Sequence, residues 1–181
     1  MIDFNKEIFL KGDSISLRPL KIEDVTGRYG YWLNDAEITK YNSHGRFPMT
    51  QEKLVNFVKN SQNSSNNLVC AVITNETNEH IGNISLQSIS WVDRNAEIAF
   101  MLGEKKYWGK GVMYEASKLL IDHAFKNLNL HRIHCGTSSD NTGMKKLAEK
   151  LGMINEGIRK EAIFNNGIYY DIVEYGILNK I

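Results

Sequence analysis

Apolar and polar positions alternate along Ile15-Ser16-Leu17-Arg18-Pro19-Leu20, which predicts a first strand with Pro19 near its end. Glu23-Asp24 open a helical stretch through Tyr31, Trp32 and Leu33, broken at Asn34-Asp35. Thr50 reads as the N-cap of a helix whose apolar face is Leu54, Val55, Phe57 and Val58. Three strand-like runs follow, Leu68 to Thr74, His80 to Leu86 and Ala96 to Leu102, divided by turn-forming segments at 75–79 and 91–95. Val112, Met113, Ala116, Leu119, Leu120, His123 and Ala124 then recur at helical spacing. A strand at His131 to Thr137 leads to an N-cap at Asp140 or Asn141. The helical stripe Met144, Leu147, Ala148, Leu151 stops at Gly152. From Gly157 to Leu178 the chain reads as two strands about Asn165-Asn166-Gly167, an Asn-Gly hairpin signal. The predicted order is strand, helices, three strands, helix, strand, helix, two strands.

Composition narrows this picture without redirecting it. At 181 residues the chain suits a single domain, 1–181, with room for a sizeable core. A formal charge of +1 gives no electrostatic case for nucleic acid or an anionic membrane. No apolar run approaches the roughly 18 residues of a bilayer span. The opening MIDFNKEIFLKGD carries acids and lacks a signal-peptide pattern. Cys70 and Cys135 lie in apolar strand segments outside any C-x-x-C arrangement. They read as buried reduced thiols of a cytoplasmic protein. Apart from His131 and His134, which a three-residue offset puts on opposite strand faces, the histidines show no ligand spacing, so no metal site is expected.

The chemistry concentrates where the Ala96 to Leu102 strand passes through Trp108-Gly109-Lys110-Gly111 into a helix. The first N–H groups of a helix have no intrahelical partners, and the helix dipole adds partial positive charge there. Glycines let backbone approach a phosphate, so the turn suits a phosphate or pyrophosphate. A P-loop is absent, and G-x-G-x-x-G would need glycine where Tyr114 stands.

What remains, Lys106-Tyr107-Trp108-Gly109-Lys110-Gly111, resembles the acetyl-CoA motif of the GNAT superfamily of N-acetyltransferases, Q/R-x-x-G-x-G/A, with Lys106 where Gln or Arg is commoner. The resemblance extends over nearly the whole chain. It includes LRPL before acidic residues, Gly82-x-Ile84, Ala96-Glu97-Ile98, and Asp140-Asn141 to Lys150-Leu151-Gly152-Met153. The ending Phe164 to Asp171 is similar to the RimJ/RimL-type branch. The resemblance implies a GNAT fold of the α/β (α+β) class. Its centre would be a mixed, mostly antiparallel twisted sheet of six to seven strands, flanked by about four helices. It implies transfer of acetyl from acetyl-CoA to a primary amine in a ternary complex. The acceptor would be a small molecule or a peptide: a protein N-terminus, a polyamine or an amino sugar. A non-catalytic acyl-CoA-binding module is the alternative.

The resemblance also assigns residues. Phe100, Met101 and Leu102 would offer main-chain groups to the pantetheine arm. Trp108, Gly109, Lys110, Gly111 and Val112 would hold the pyrophosphate, with Lys106 and Lys110 adding charge. Asn141 would bond the arm, or simply cap its helix. Glu97 resembles a general base, with His134 behind it. His44 and Arg46 would border the acceptor pocket. Met144 and Ala148 stand where some members have the Ser and Tyr that protonate the leaving thiolate, leaving Tyr169, Tyr170 or water. The β-branched and aromatic tail hairpin suggests a covered edge, hence a homodimer.

Overall fold

The structure, a computed structural model, describes residues 7–180, so the reading of the opening segment falls partly outside the described residues. Its strands are β1 (Leu10–Lys11), β2 (Ile15–Pro19), β3 (Leu68–Thr74), β4 (His80–Ser90), β5 (Asn95–Leu102), β6 (Arg132–Ser138), β7 (Ile154–Asn165) and β8 (Ile168–Leu178). The helices are α1 (Tyr29–Trp32), α2 (Gln51–Gln62), α3 (Val112–Lys126) and α4 (Thr142–Lys150), with 3-10 turns at Ile22–Thr26 and Lys105–Tyr107. One mixed sheet runs β1-β2-β3-β4-β5-β6-β8-β7. All its pairings are antiparallel except β5 with β6.

The sheet has eight strands rather than six to seven, because β1 is only two residues long, too short to leave a periodicity. The helix expected from Glu23 to Leu33 is also divided. A 3-10 turn ends at Gly27, whose backbone is extended, and α1 begins afresh at Tyr29. Elsewhere local signals hold. Thr50 caps α2 by accepting the Lys53 N–H. Asn166 and Gly167 both take positive φ, the geometry of a two-residue hairpin turn whose twist matches its strands.

Strand alternation sends successive side chains to opposite faces, and each face carries its own core. On one face Ile84, Leu86 and Ile98 pack with Ala116, Leu120 and Ala148 of α3 and α4. On the other, Ala71 and Met101 pack with Tyr29, Trp32, Leu54 and Val58. Trp32 and Leu120 are fully buried, and a leucine side chain contributes about 1.5–3 kcal/mol on leaving water. Cys70 and Cys135 are free and buried, and burial pushes both thiols up to about 12.

Candidate active site

The site is set by a divergence of strands. β5 pairs with β4 from Gln87↔Glu97 to Gly82↔Leu102. On its other edge it pairs with β6 only at Asn95↔Arg132, Ala96↔Ile133 and Glu97↔His134. Beyond that point β6 keeps β8 on its far side, and its near edge and that of β5 separate. A cavity of about 460 Å³ opens there. Its floor is Glu97 to Leu102 of β5 with Asn83, Ser85 and Gln87 of β4. Cys135 to Thr137 and Asn141 form one wall, and Tyr29, Tyr41, His44 and Leu54 stand over the floor.

Register puts Glu97, Ala99 and Met101 on the same face as Gln87, Ser85 and Asn83. Glu97 is half-buried, at the last paired position before the strands separate, and is the one charged carboxylate among the lining residues. Its field, after burial itself, helps hold the Cys135 thiol neutral. The polar floor is largely self-satisfied. Gln87 Nε2 donates to Ser85 Oγ at 2.9 Å, and Ser85 Oγ donates to the Ala99 carbonyl at 3.3 Å. Asn83 Nδ2 is the exception, buried with no hydrogen-bond partner, and an orphan of that kind costs about 1–3 kcal/mol.

The turn after β5 provides the second half of the site. Gly109 and Gly111 take φ of +73° and +80°, and a Cβ at either would meet nothing within 4 Å, so the backbone there is bare. Gly111 is the N-cap of α3 and has no capping side chain. Among the described residues, the N–H groups of Gly109, Gly111, Val112, Met113 and Tyr114 have no protein acceptor. Five free donors at the positive end of a fifteen-residue helix are the arrangement that suits an anion. Trp108 anchors the turn by donating its indole N–H to the Leu102 carbonyl at 3.0 Å.

Several expected residues come together and others do not. Glu97, Phe100, Met101, Leu102, Asn141 and His44 all line the cavity. Leu102 has its carbonyl taken by Trp108, so less of its main chain is free than expected. Asn141 is a cap as well, accepting the Met144 N–H at 3.1 Å. Lys106 is turned to Glu79, at 2.7 Å, and this pair with Tyr107 holds the Glu79 carboxyl below its usual range. Lys110 stands 5.7 Å from the Tyr107 ring centroid. Arg46 does not line the cavity. It donates to the Phe164 carbonyl at 3.1 Å and so ties its loop to the tail hairpin. His134, Tyr169 and Tyr170 do not line it either, and His134 instead lies near Glu156. Asn83, Tyr29 and Tyr41 were not expected in the site. A hint lay in the polar residues at every second position of Asn83-Ile84-Ser85-Leu86-Gln87 within an otherwise apolar strand.

Residues 14–154 match the family model of the acetyltransferase (GNAT) domain. The chain belongs to the GNAT acetyltransferase family. The probable N-acetyltransferase YjcK of Bacillus subtilis is 31% identical over 176 residues, covering 94% of this chain and 97% of its own. The spermidine N(1)-acetyltransferase of Escherichia coli is 29% identical over 161 residues, covering 88% and 83%. The structure of RimL, a ribosomal L7/L12 alpha-N-protein acetyltransferase in complex with coenzyme A, superposes with a TM-score of 0.85 over 95% of this chain and 98% of that one. At 21% identity this likeness is one of fold. In this GNAT N-acetyltransferase the sheet diverges beside a turn of free N–H groups. Among the described residues no group of three or more side chains could hold a metal ion, and no helix is long and apolar enough to cross a membrane.

Proposed function

We propose that this protein transfers acetyl from acetyl-CoA to a primary amine held in the 460 Å³ cavity, by direct attack in a ternary complex. The observation that carries the reading is that a lone carboxylate, Glu97, stands where β5 loses its partner, on the strand that leads to five free N–H donors. Acetyl-CoA supplies a thioester-activated acetyl group. The bare backbone of Gly109 and Gly111 and the free N–H groups through Tyr114 fit its pyrophosphate. The unpaired edge of β5 at Phe100 and Met101 suits an amide-bearing arm added like a strand. Asn141 keeps its amide N–H groups for the same arm while its oxygen caps α4.

An amine acceptor near pKa 10.4 arrives protonated at neutral pH and must lose a proton before it can attack. Glu97 takes that proton. Glu97→Gln keeps the shape and removes the base. Turnover should fall by roughly 10²-fold or more, with coenzyme A affinity by calorimetry little changed. Turnover within about threefold of the parent would leave Glu97 a structural residue. Free-thiol release on mixing acetyl-CoA with amines separates this enzyme from a binding module, in which no thiol would appear. With one carboxylate in the lining, the cavity favours an acceptor carrying one positive charge over a polyamine carrying several. The buried free thiols suit a cytoplasmic protein. The β7 edge, with Ile154 and Ile158 exposed at 72% and 53%, suits pairing with a second copy, and a monomer mass by light scattering would exclude it.

A further inference from the structure

The orphaned amide of Asn83 has a fixed orientation, and that orientation bears on the acceptor. His80 Nε2 lies 3.0 Å from the Gly82 carbonyl and 2.9 Å from Asn83 Oδ1. A carbonyl can only accept, so Nε2 carries a hydrogen whether the ring is neutral or charged. The Asn83 atom facing that hydrogen must therefore be oxygen. The amide NH2 is then turned away from His80, and nothing in the protein accepts from it. The ring itself cannot turn freely. It packs edge-on to Trp32 and Tyr29, with centroids 5.0 and 5.9 Å away, and its Nδ1 lies 3.5 Å from Asp24 Oδ1. Asp24 is gripped by both terminal nitrogens of Arg18, at 2.8 and 2.6 Å, and by the Lys21 N–H at 2.8 Å. Held by His80, Asn83 thus presents a buried donor at a residue that lines the cavity and is only 7% exposed.

Asn83 and Glu97 lie at opposite ends of one face of the β4–β5 pair, Asn83 opposite Met101 and Glu97 opposite Gln87. About 13 Å of sheet separates the two ends. Between them Gln87 donates to Ser85 and Ser85 donates to the Ala99 carbonyl, and Gln87 is exposed, which leaves the Asn83 N–H as the buried unmatched donor of the floor among the described residues. Resting on the acetyl-transfer reading above, we propose that Asn83 is a specificity-determining residue. It selects primary amines that carry a neutral oxygen acceptor, an amide carbonyl, roughly 10 Å or more from the reacting nitrogen. A second ammonium there would present donor to donor. A carboxylate would find no free positive charge, since Arg18 is already matched by Asp24. A peptide main chain has the right chemistry, and a bare polyamine has the wrong one.

Aminooctanamide and diaminooctane differ only at the far end and span about this distance. Their kcat/KM values, read by thiol release from acetyl-CoA, should differ by about 10-fold or more in favour of the amide in the parent protein. Asn83→Asp is isosteric and turns an acceptor into the cavity, so it should abolish or reverse the preference. Asn83→Ala should abolish it. The ratio is taken within each variant, so a fraction of misfolded protein cancels. A parent preference for the diamine, or a ratio unmoved in both variants, overturns the role of Asn83. If neither amine is acetylated by the parent, it is the acetyl-transfer reading that fails. Calorimetry with the same two amines then judges Asn83. Tighter binding of the amide that is lost in Asn83→Asp upholds it, while equal or absent binding overturns it.

Discussion

His80 shows how one buried side chain couples stability to pH. Burial lowers its pKa below the ordinary 6.5, and the Asp24 carboxylate only partly opposes that. A histidine whose folded pKa is depressed favours the folded state when neutral. Its contribution is complete above about 6.5 and declines as pH falls through that value toward the folded pKa. His123 is shifted the same way by burial. The carboxylates held low by their partners, Asp24, Glu115 and Glu156, act only at more acid pH, below their ordinary values of 3.8, 4.5 and 4.5. Between pH 7.5 and 5, roughly, urea unfolding of the parent should therefore show falling stability, by up to about 1.4 kcal/mol per pH unit from His80 and by less from the more exposed His123. Asn replacing His80 should flatten part of that slope, and an unchanged slope would assign the pH dependence to other groups.

At the scale of elements, two glycines around the end of β5 do different work. A Cβ on Gly103 would stand 1.9 Å from the Trp32 ring, so this position lets α1 pack onto the strand end. Gly103→Ala should destabilise by about 1–3 kcal/mol through overpacking, measured by urea midpoint. Gly111 has open space and a left-handed backbone, so a side chain there tests charge rather than sterics. Asn tolerates that conformation better than most residues and has the shape of Asp. Coenzyme A should bind Gly111→Asp at least about tenfold more weakly than Gly111→Asn, or about 1.4 kcal/mol. Equal affinities would remove the phosphates from this turn. The strand, glycine turn and helix were legible in the sequence because each is encoded locally, by alternation, by glycine and by helical spacing. The same holds for the Asn166-Gly167 hairpin. What was not legible depends on pairing across the sheet. Nothing near Asn83 in sequence reveals that it faces Met101, or that β6 will leave β5 after Glu97. The pairing of Lys106 with Glu79 was hidden for a similar reason, since Glu79 comes from another turn. Helical spacing carried the early helix past Gly27, where the backbone is in fact extended.

Across the whole molecule the sheet is two blocks, β1 to β5 and β6 to β8, joined edge to edge through only three residue pairs. The helices α3 and α4 add a shared core on one face. On the other side of the cavity the tail hairpin reaches back. Asn165 donates to the Lys40 carbonyl at 2.6 Å, and Arg46 donates to the Phe164 carbonyl at 3.1 Å. A ligand arm lying between the separated edges of β5 and β6 would complete the seam that the strands leave open, and would bind the native state alone. At about one hundred times its dissociation constant, coenzyme A should then add about 2.7 kcal/mol to unfolding, a rise in Tm of roughly 5–11 °C for a chain of this size. That shift alone would follow from binding at any native site. Hydrogen exchange locates it. Protection should appear on both facing edges, at Ile98 to Leu102 and at Cys135 to Ser138, as well as at the free N–H groups from Gly109 to Tyr114. Protection confined to the turn would mean that the nucleotide end is held while the arm lies elsewhere. Glu97 would then no longer stand beside the reacting carbon, and its proposed role as base would lose its geometric support.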